Sequence, residues 1–147
     1  MHEAAWRYAY AGLIPGLALE QMIRSRGADY WRASHRRGAR ALVLTLDGQV
    51  LGYAALGRAR GRRFGGSGEI YELYLDPAAH GAGLGSRLFD AARKALRARG
   101  LKGLVVWCLE VNELGCRFYD ALGGVPAARS SARLGGTDFQ LIRYRWR

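Results

Sequence analysis

Hydrophobic positions recur along the chain at two spacings, and the spacing changes from segment to segment. Apolar residues three or four apart predict helices, whereas short apolar or alternating runs bounded by Gly, Asp or Pro predict strands. Helices are expected over residues 15–27, 30–37 and 83–99, and between Asn112 and Gly123. Strands are expected over residues 41–46, 50–56, 69–75, 104–109, 125–134 and 139–146. Short elements in this order are typical of a compact α/β domain.

Three of these segments carry strong local signals. Asp47-Gly48 lies between two strand-like runs and predicts a two-residue hairpin turn. Residues 104–109 are apolar almost without a break, as expected for a central strand covered on both faces. The helix over residues 83–99 has an apolar residue at every fourth position, which predicts one buried face: Leu84, Leu88, Ala92 and Leu96. Its basic residues are expected to face water: Arg87, Lys94 and Arg97.

Composition narrows the class of protein. The chain has 147 residues, half of them hydrophobic, which suits one domain with one core and argues against disorder. No apolar run approaches the roughly 20 residues of a membrane span, and residues 1–7 lack the apolar core of a signal peptide. We therefore expect a soluble, cytoplasmic protein with no membrane partner.

The net charge leaves the class of partner open, whereas the cysteines and histidines argue against a metal site. A formal net charge of +11 suits a polyanionic partner, yet only Lys94 and Lys102 are lysines, and an arginine bias also fits a GC-rich genome. Cys108 is expected to be buried and reduced on its strand. The histidines and cysteines show no metal-ligand spacing, so no metal is expected.

A glycine-rich turn over residues 80–86 joins the third predicted strand to the longest helix. Its glycines have no Cβ, and the helix that begins there presents unpaired N–H groups and the positive end of its dipole. These features suit a pyrophosphate. The turn lacks the Lys that follows the last glycine of a P-loop, and it lacks the third glycine of a dinucleotide-binding turn. Both of those classes are therefore set aside.

A second motif lies downstream, where Asn112 precedes Phe118-Tyr119 on a helix that ends at Gly123. The glycine turn and this motif together resemble the GNAT N-acetyltransferase superfamily. That family has an acetyl-CoA turn of the form Gln/Arg-x-x-Gly-x-Gly/Ala after a strand, then a strand, an Asn and a helix with Phe-Tyr. Both motifs occur here in the family's order and spacing. The resemblance covers roughly residues 42–147.

The resemblance implies a fold and a co-substrate. The fold would be mixed α/β, a mostly antiparallel central sheet flanked by helices on both faces, in a single domain over residues 1–147. The co-substrate would be acetyl-CoA, bound by the following residues: Leu73, Tyr74, Leu75, His80, Gly81, Ala82, Gly83, Leu84, Gly85, Ser86, Asn112 and Tyr119. Backbone N–H groups near residues 73–75, where the family splays this strand from its neighbour, would bind the pantetheine amides and polarise the thioester carbonyl.

The chain departs from the family pattern in three places. His80 stands where the family has Gln or Arg, which leaves the backbone cradle intact. Gly124 replaces an aromatic residue, which we interpret as a packing change. Residues 1–10 contain no convincing version of the family's opening strand. The N-terminal edge is therefore expected to be short or differently built.

Acetyl transfer to an amine needs a base, because an alkyl ammonium has a pKa of about 10.4. Glu69 and Glu72 are the candidates, and strand alternation predicts that they point to opposite faces of the sheet. Glu69 matches the base of some family members and ranks first, with Glu72 second. Both could instead only balance nearby arginines. The resemblance also implies that Tyr119 acts as general acid to the CoA thiolate; the alternative is a core aromatic residue.

The loop over residues 57–68 is the one locally biased segment, rich in glycine and containing four arginines. Two interpretations stand: a solvated hairpin loop, or a lip of the substrate site.

The function implied is the transfer of an acetyl group from acetyl-CoA to a primary amine by direct attack. The acceptor is left open among a small molecule, a peptide N-terminus and an aminoacyl-tRNA, and homodimerisation is also left open. The alternative is a non-catalytic module of the same fold that binds nucleic acid or another acidic partner through its arginines. No nucleic-acid-binding motif supports that alternative.

Overall fold

A computed structural model describes residues 1–147, with every side chain except that of Arg62. Six strands form one sheet: β1 (Arg40–Leu46), β2 (Gln49–Arg58), β3 (Gly68–Leu75), β4 (Leu104–Leu109), β5 (Val125–Leu134) and β6 (Thr137–Trp146). Their order across the sheet is β1-β2-β3-β4-β6-β5. All neighbours are antiparallel except β3 and β4. The mixed, mostly antiparallel sheet is confirmed.

Helices cover both faces of this sheet, as predicted. There are five: α1 (His2–Tyr10), α2 (Gly16–Arg24), α3 (Ala28–Arg36), α4 (Leu84–Ala98) and α5 (Glu113–Ala121). Single 3-10 turns span Arg62–Phe64 and Pro77–Ala79. One apolar core lies under α4 and α5, around Phe89 and Tyr144, and a second lies under α1 and α2, around Trp6.

The N-terminal segment is built differently from a strand. Residues 2–10 form α1, whose buried residues Ala5, Trp6 and Tyr10 lie on one helical face. Arg7 on the exposed side pairs with Glu3 one turn earlier. These residues therefore form a helix that covers the sheet, in the part of the chain where the family has its opening strand.

β3 contains a bulge at Tyr71. Leu56 of β2 lies opposite Ile70 and Ala55 lies opposite Glu72, so Tyr71 has no partner on β2. A bulge of this kind leaves one residue unpaired and disturbs the alternation of side chains beyond it.

β3 and β4 separate after a short stretch of pairing. Only residues 68–70 pair with residues 104–106, and beyond them β3 pairs with β2 alone while β4 pairs with β6. The predicted splay of the third strand from its neighbour is confirmed. It leaves the main chain of β3 from Tyr71 to Leu75 with a free edge.

Candidate active site

A cavity of about 370 Å³ lies where β3 and β4 separate. Its walls come from α1, the end of β3, the glycine turn, β4 and α5. Most of the predicted site residues line it. The exceptions are Glu69, Ala82 and Leu84.

The glycine turn forms an open cradle at one end of this cavity. Gly81 and Gly83 have positive φ angles of 81° and 74°, and Gly83 precedes the first residue of α4. A Cβ at either glycine would meet no atom within 4 Å, so the space in front of the turn is open. The N–H groups of residues 81–86 donate to no other described backbone group. Such a set of N–H groups at a helix N-terminus suits a phosphate anion.

Gly85 has another role. A Cβ there would come within 3.0 Å of Cε2 of Phe118. The absence of a side chain therefore lets α4 pack closely against α5, which holds the turn beside the second motif.

Asn112 and Tyr119 are brought to the cavity by α5. The Asn112 side chain accepts a hydrogen bond from the Gly115 N–H at 3.0 Å and caps the helix, as predicted. Tyr119 is only 7% exposed, and its hydroxyl makes no hydrogen bond with any described residue. Burial raises the pKa of Tyr119, and the neighbouring Cys108 adds to this effect. The hydroxyl therefore keeps its proton at neutral pH.

The two glutamates of β3 lie on the same face of the sheet. They lie opposite Gly57 and Ala55, which are two residues apart on β2 with no bulge in β2 between them and so share a face. The prediction that Glu69 and Glu72 point to opposite faces is wrong. The bulge at Tyr71 resets the alternation, and a strict period of two assumes a regular strand.

Glu69 is held by the arginine-rich loop. Its Oε1 accepts from Arg60 Nη2 at 2.7 Å and from Nε at 3.2 Å, and its Oε2 accepts from the Arg60 backbone N–H at 2.9 Å. The carboxylate is 1% exposed and lies outside the cavity lining. These contacts fasten the loop to the sheet, so the loop is more than a solvated hairpin connection.

Glu72 lines the cavity. Its Oε1 accepts from Arg26 Nε at 2.7 Å and its Oε2 accepts from the Tyr53 hydroxyl at 2.9 Å. Trp6 Nε1 in turn donates to the Tyr53 hydroxyl at 3.0 Å. The geometry thus favours Glu72 over Glu69 as the candidate base, the reverse of the order expected from the sequence.

The contribution of α1 to the site was not predicted from the sequence. Tyr10 lines the cavity, and its hydroxyl is 2.6 Å from that of Tyr74. Burial raises the pKa of Tyr10 to about 12 and raises those of Tyr53 and Tyr74 as well. Helical spacing in residues 2–10 could have revealed a buried face, but no local signal connects that face to Glu72.

The remaining predicted residues are placed as follows. His80 lines the cavity with an exposed ring whose centroid is 5.0 Å from that of Tyr8. Cys108 is buried, as predicted, with its Sγ 3.8 Å from that of Cys116. Burial raises the pKa of Cys108, which disfavours a nucleophilic thiolate.

The described residues offer neither a membrane span nor a metal site. They contain no helix that is long and apolar enough to cross a membrane. They also contain no group of three or more His, Cys, Asp or Glu side chains placed to hold a metal ion.

Comparison with known sequences identifies the family. The profile of the Acetyltransferase (GNAT) family matches residues 3–123. The uncharacterised N-acetyltransferase YuaI of Bacillus subtilis (strain 168) is 26% identical over 146 residues, which cover 99% of this chain and 83% of YuaI. Mycothiol acetyltransferase of Streptosporangium roseum is 43% identical over 56 residues, which cover 38% of this chain and only 17% of that protein. The chain belongs to the GNAT family of acetyltransferases.

Solved structures agree on the fold. The PaiA N-acetyltransferase of Thermoplasma acidophilum in complex with coenzyme A has a TM-score of 0.74 at 20% identity, over 95% of this chain and 86% of that one. The yncA protein of Salmonella typhimurium with its cofactor acetyl-CoA has a TM-score of 0.66 at 23% identity, over 87% and 72%. The prediction of acetyl-CoA as co-substrate is consistent with these complexes. A non-catalytic module is not favoured by any of these findings.

Proposed function

We propose that residues 1–147 form a single N-acetyltransferase domain that transfers an acetyl group from acetyl-CoA to a primary amine by direct attack. One observation carries this proposal: the glycine cradle, the Tyr119 hydroxyl and the Glu72 carboxylate all line one cavity, at the point where β3 and β4 separate. The cradle would bind the anionic part of the co-substrate, Tyr119 would act as the acid and Glu72 would act as the base.

The cavity has groups that suit two parts of acetyl-CoA, the pyrophosphate and the pantetheine arm. The N–H groups of residues 81–86 would hold the pyrophosphate. The free edge of β3 near residues 73–75 would pair with the amides of the pantetheine arm. When bound, acetyl-CoA supplies an activated acyl group. Asn112 caps the helix that carries Tyr119 and so fixes the position of that residue.

Tyr119 would act as the general acid. Its hydroxyl retains its proton because burial raises the pKa, and it has no competing hydrogen-bond partner among the described residues. It can therefore donate to the departing thiolate.

Glu72 would act as the base. Each of its oxygens accepts one hydrogen bond, from Arg26 or from Tyr53, and keeps a second lone pair. It can take the proton of the attacking amine directly or through one water. Glu69 would hold the arginine-rich loop and take no part in proton transfer.

The acceptors compatible with this proposal are a small molecule, a peptide N-terminus and an aminoacyl-tRNA. A cytoplasmic location stays a prediction. A homodimer also stays a prediction. Strand β6 has no free edge for pairing between subunits, because it lies between β4 and β5.

Calorimetry with acetyl-CoA tests the proposal, comparing the wild type with Tyr119→Phe and using a generic polyanion as control. We expect saturable one-site binding by both proteins that the polyanion does not mimic. Turnover with a panel of amines should fall by about 10²–10⁴-fold in Tyr119→Phe, the usual contribution of a general acid. Binding no stronger than that of the polyanion, with no turnover, would overturn the proposal and favour the basic binding module. Full turnover by Tyr119→Phe would overturn only the role of Tyr119 as general acid.

A further inference from the structure

Three arginines stack on aromatic rings on the face of the sheet that holds Glu69 and Glu72. Their guanidinium carbons lie 4.2–5.9 Å from the ring centroids, in these combinations: Arg26 with Trp6 and Tyr30, Arg60 with Tyr71, and Arg143 with Phe64 and Trp107. A planar guanidinium held against a ring is fixed in orientation and remains able to bind anions at its edge.

Arg143 differs from the other two because it has no counter-charge. Arg26 pairs with Glu72 and Arg60 pairs with Glu69, each at 2.7 Å. Arg143 forms no ion pair with any described residue, and its buried Nε has no hydrogen-bond partner. A ligand cannot reach the buried Nε directly, so the groups available to a ligand are the two Nη atoms, which are not buried and make no hydrogen bond with any described residue.

Arg143 lies beside the active-site cavity. It lies directly opposite Trp107 across the β4–β6 ladder, and Trp107 lines the cavity. It also follows Leu141, another lining residue, by two positions on β6, so both side chains share a face. The Arg143 guanidinium thus lies next to Trp107, a residue that lines the cavity.

Phe64 connects this arginine to the arginine-rich loop. The ring lies in the 3-10 turn of that loop and is 4.5 Å from the guanidinium carbon of Arg143. Arg60, earlier in the same loop, is fastened to Glu69. The loop is therefore held on the face of the sheet that carries Arg143. It reaches the cavity wall through Arg60, which stacks on the lining residue Tyr71.

We infer that Arg143 recognises an oxyanion, a carboxylate or a phosphate, on the acceptor, so that the substrates are amines that also carry an anionic group. The guanidinium fork suits either oxyanion through paired N–H groups. The positive charge of the whole chain attracts such acceptors and repels polycationic ones. This inference rests on the proposed function, because the acceptor amine would have to reach Glu72 in the same cavity.

The test uses acceptors matched in length: alkylamines, ω-amino carboxylates and aminoalkyl phosphates. Wild type should show higher kcat/KM for an anionic series than for plain amines. Arg143→Gln should lower that kcat/KM by about ten- to hundredfold, the effect of losing a hydrogen bond to a charged group. The loss should appear mainly in KM, with the KM for acetyl-CoA unchanged. Arg97→Gln, an exposed arginine on α4 across the sheet, is the charge-matched control and should have little effect.

The outcomes separate this inference from the proposed function. Equal use of neutral and anionic amines by wild type, or equal losses in Arg143→Gln and Arg97→Gln, would overturn the inference and leave acetylation intact. If no amine is acetylated, calorimetry of the same amines with coenzyme A present decides. Binding of anionic amines that weakens in Arg143→Gln would keep the inference without the activity, and no such binding would overturn it.

Two further measurements complete the test. The better of the carboxylate and phosphate series identifies the source of the oxyanion. If Arg143→Gln does not fold, as judged by its melting curve, Arg143→Lys replaces it. That change keeps the charge but removes the planar fork, so only partial retention of the anionic preference is expected.

Discussion

The two ends of the cavity are built in different ways. At the α4 end, the backbone of the contiguous residues 80–86 forms the cradle, and side chains contribute little. At the α1 end, a network of side chains from separate elements converges on Glu72: Trp6 from α1, Arg26 from the segment after α2, and Tyr53 from β2. A backbone site depends on local sequence, whereas a side-chain network depends on the tertiary fold.

The largest expected effect separates the two glutamates within the side-chain end. Glu72→Gln should reduce kcat by about 10²–10⁴-fold, because an amide cannot take a proton from the attacking amine. Glu69→Gln is the matched control, since both carboxylates are buried, paired with arginine and on the same face of β3. Its turnover should stay within a few-fold of wild type. Steady-state kinetics with acetyl-CoA and an accepted amine measures both.

Glu69→Gln should instead affect stability. Removing the charge beside Arg60 is expected to lower the free energy of unfolding by about 1–2 kcal/mol, a modest loss because Arg60 is 68% exposed and can be hydrated. Urea unfolding measures it. A loss of turnover in Glu69→Gln equal to that in Glu72→Gln would contradict the roles assigned here.

The sequence allowed most of the fold to be predicted, but less of the site. The hairpin at Asp47-Gly48, the amphipathic α4 and the apolar β4 were predictable because their signals are local. Residues 1–10 were left undefined, since their helical face becomes informative only when packed on the sheet.

The contacts of the side-chain end could not be predicted from local sequence patterns, for a physical reason. Arg26 and Tyr53 are 46 and 19 residues from Glu72 in sequence, and no periodicity reports contacts at that range. The bulge at Tyr71 also has no sequence signal of its own, and it places both glutamates on one face of the sheet. The glycine cradle, in contrast, needs only a strand, a turn and a helix start in succession.

Another prediction concerns the protonated tyrosines of the side-chain end. Burial raises the pKa of Tyr10 to about 12, whereas the unfolded chain loses that proton near pH 10. Between these values the native state binds more protons, so the free energy of unfolding falls as pH rises, by up to about 3 kcal/mol from this group. Urea unfolding at pH 9 and pH 11 should show the fall.

Tyr10→Phe should make that fall shallower, because it removes one of the groups responsible. Tyr8, which is 57% exposed, is the control, and Tyr8→Phe should retain the wild-type slope. An unchanged slope in Tyr10→Phe would mean that the hydroxyl is more hydrated than its burial indicates. The side-chain end would then be less closed than the comparison requires.

The smallest expected effect concerns the backbone end. Gly83 and Gly100 lie at opposite ends of α4 with φ angles of 74° and 77°, and neither has an atom within 4 Å of a Cβ position. Leucine at either site should therefore cost a similar stability, about 1–2 kcal/mol for a left-handed residue. Only Gly83→Leu places a side chain in front of the cradle, so it alone should raise the Kd for acetyl-CoA, by about tenfold, equivalent to 1.4 kcal/mol. Equal affinities in calorimetry would show that the pyrophosphate lies elsewhere, and the end that local sequence made most predictable would be the one interpreted incorrectly.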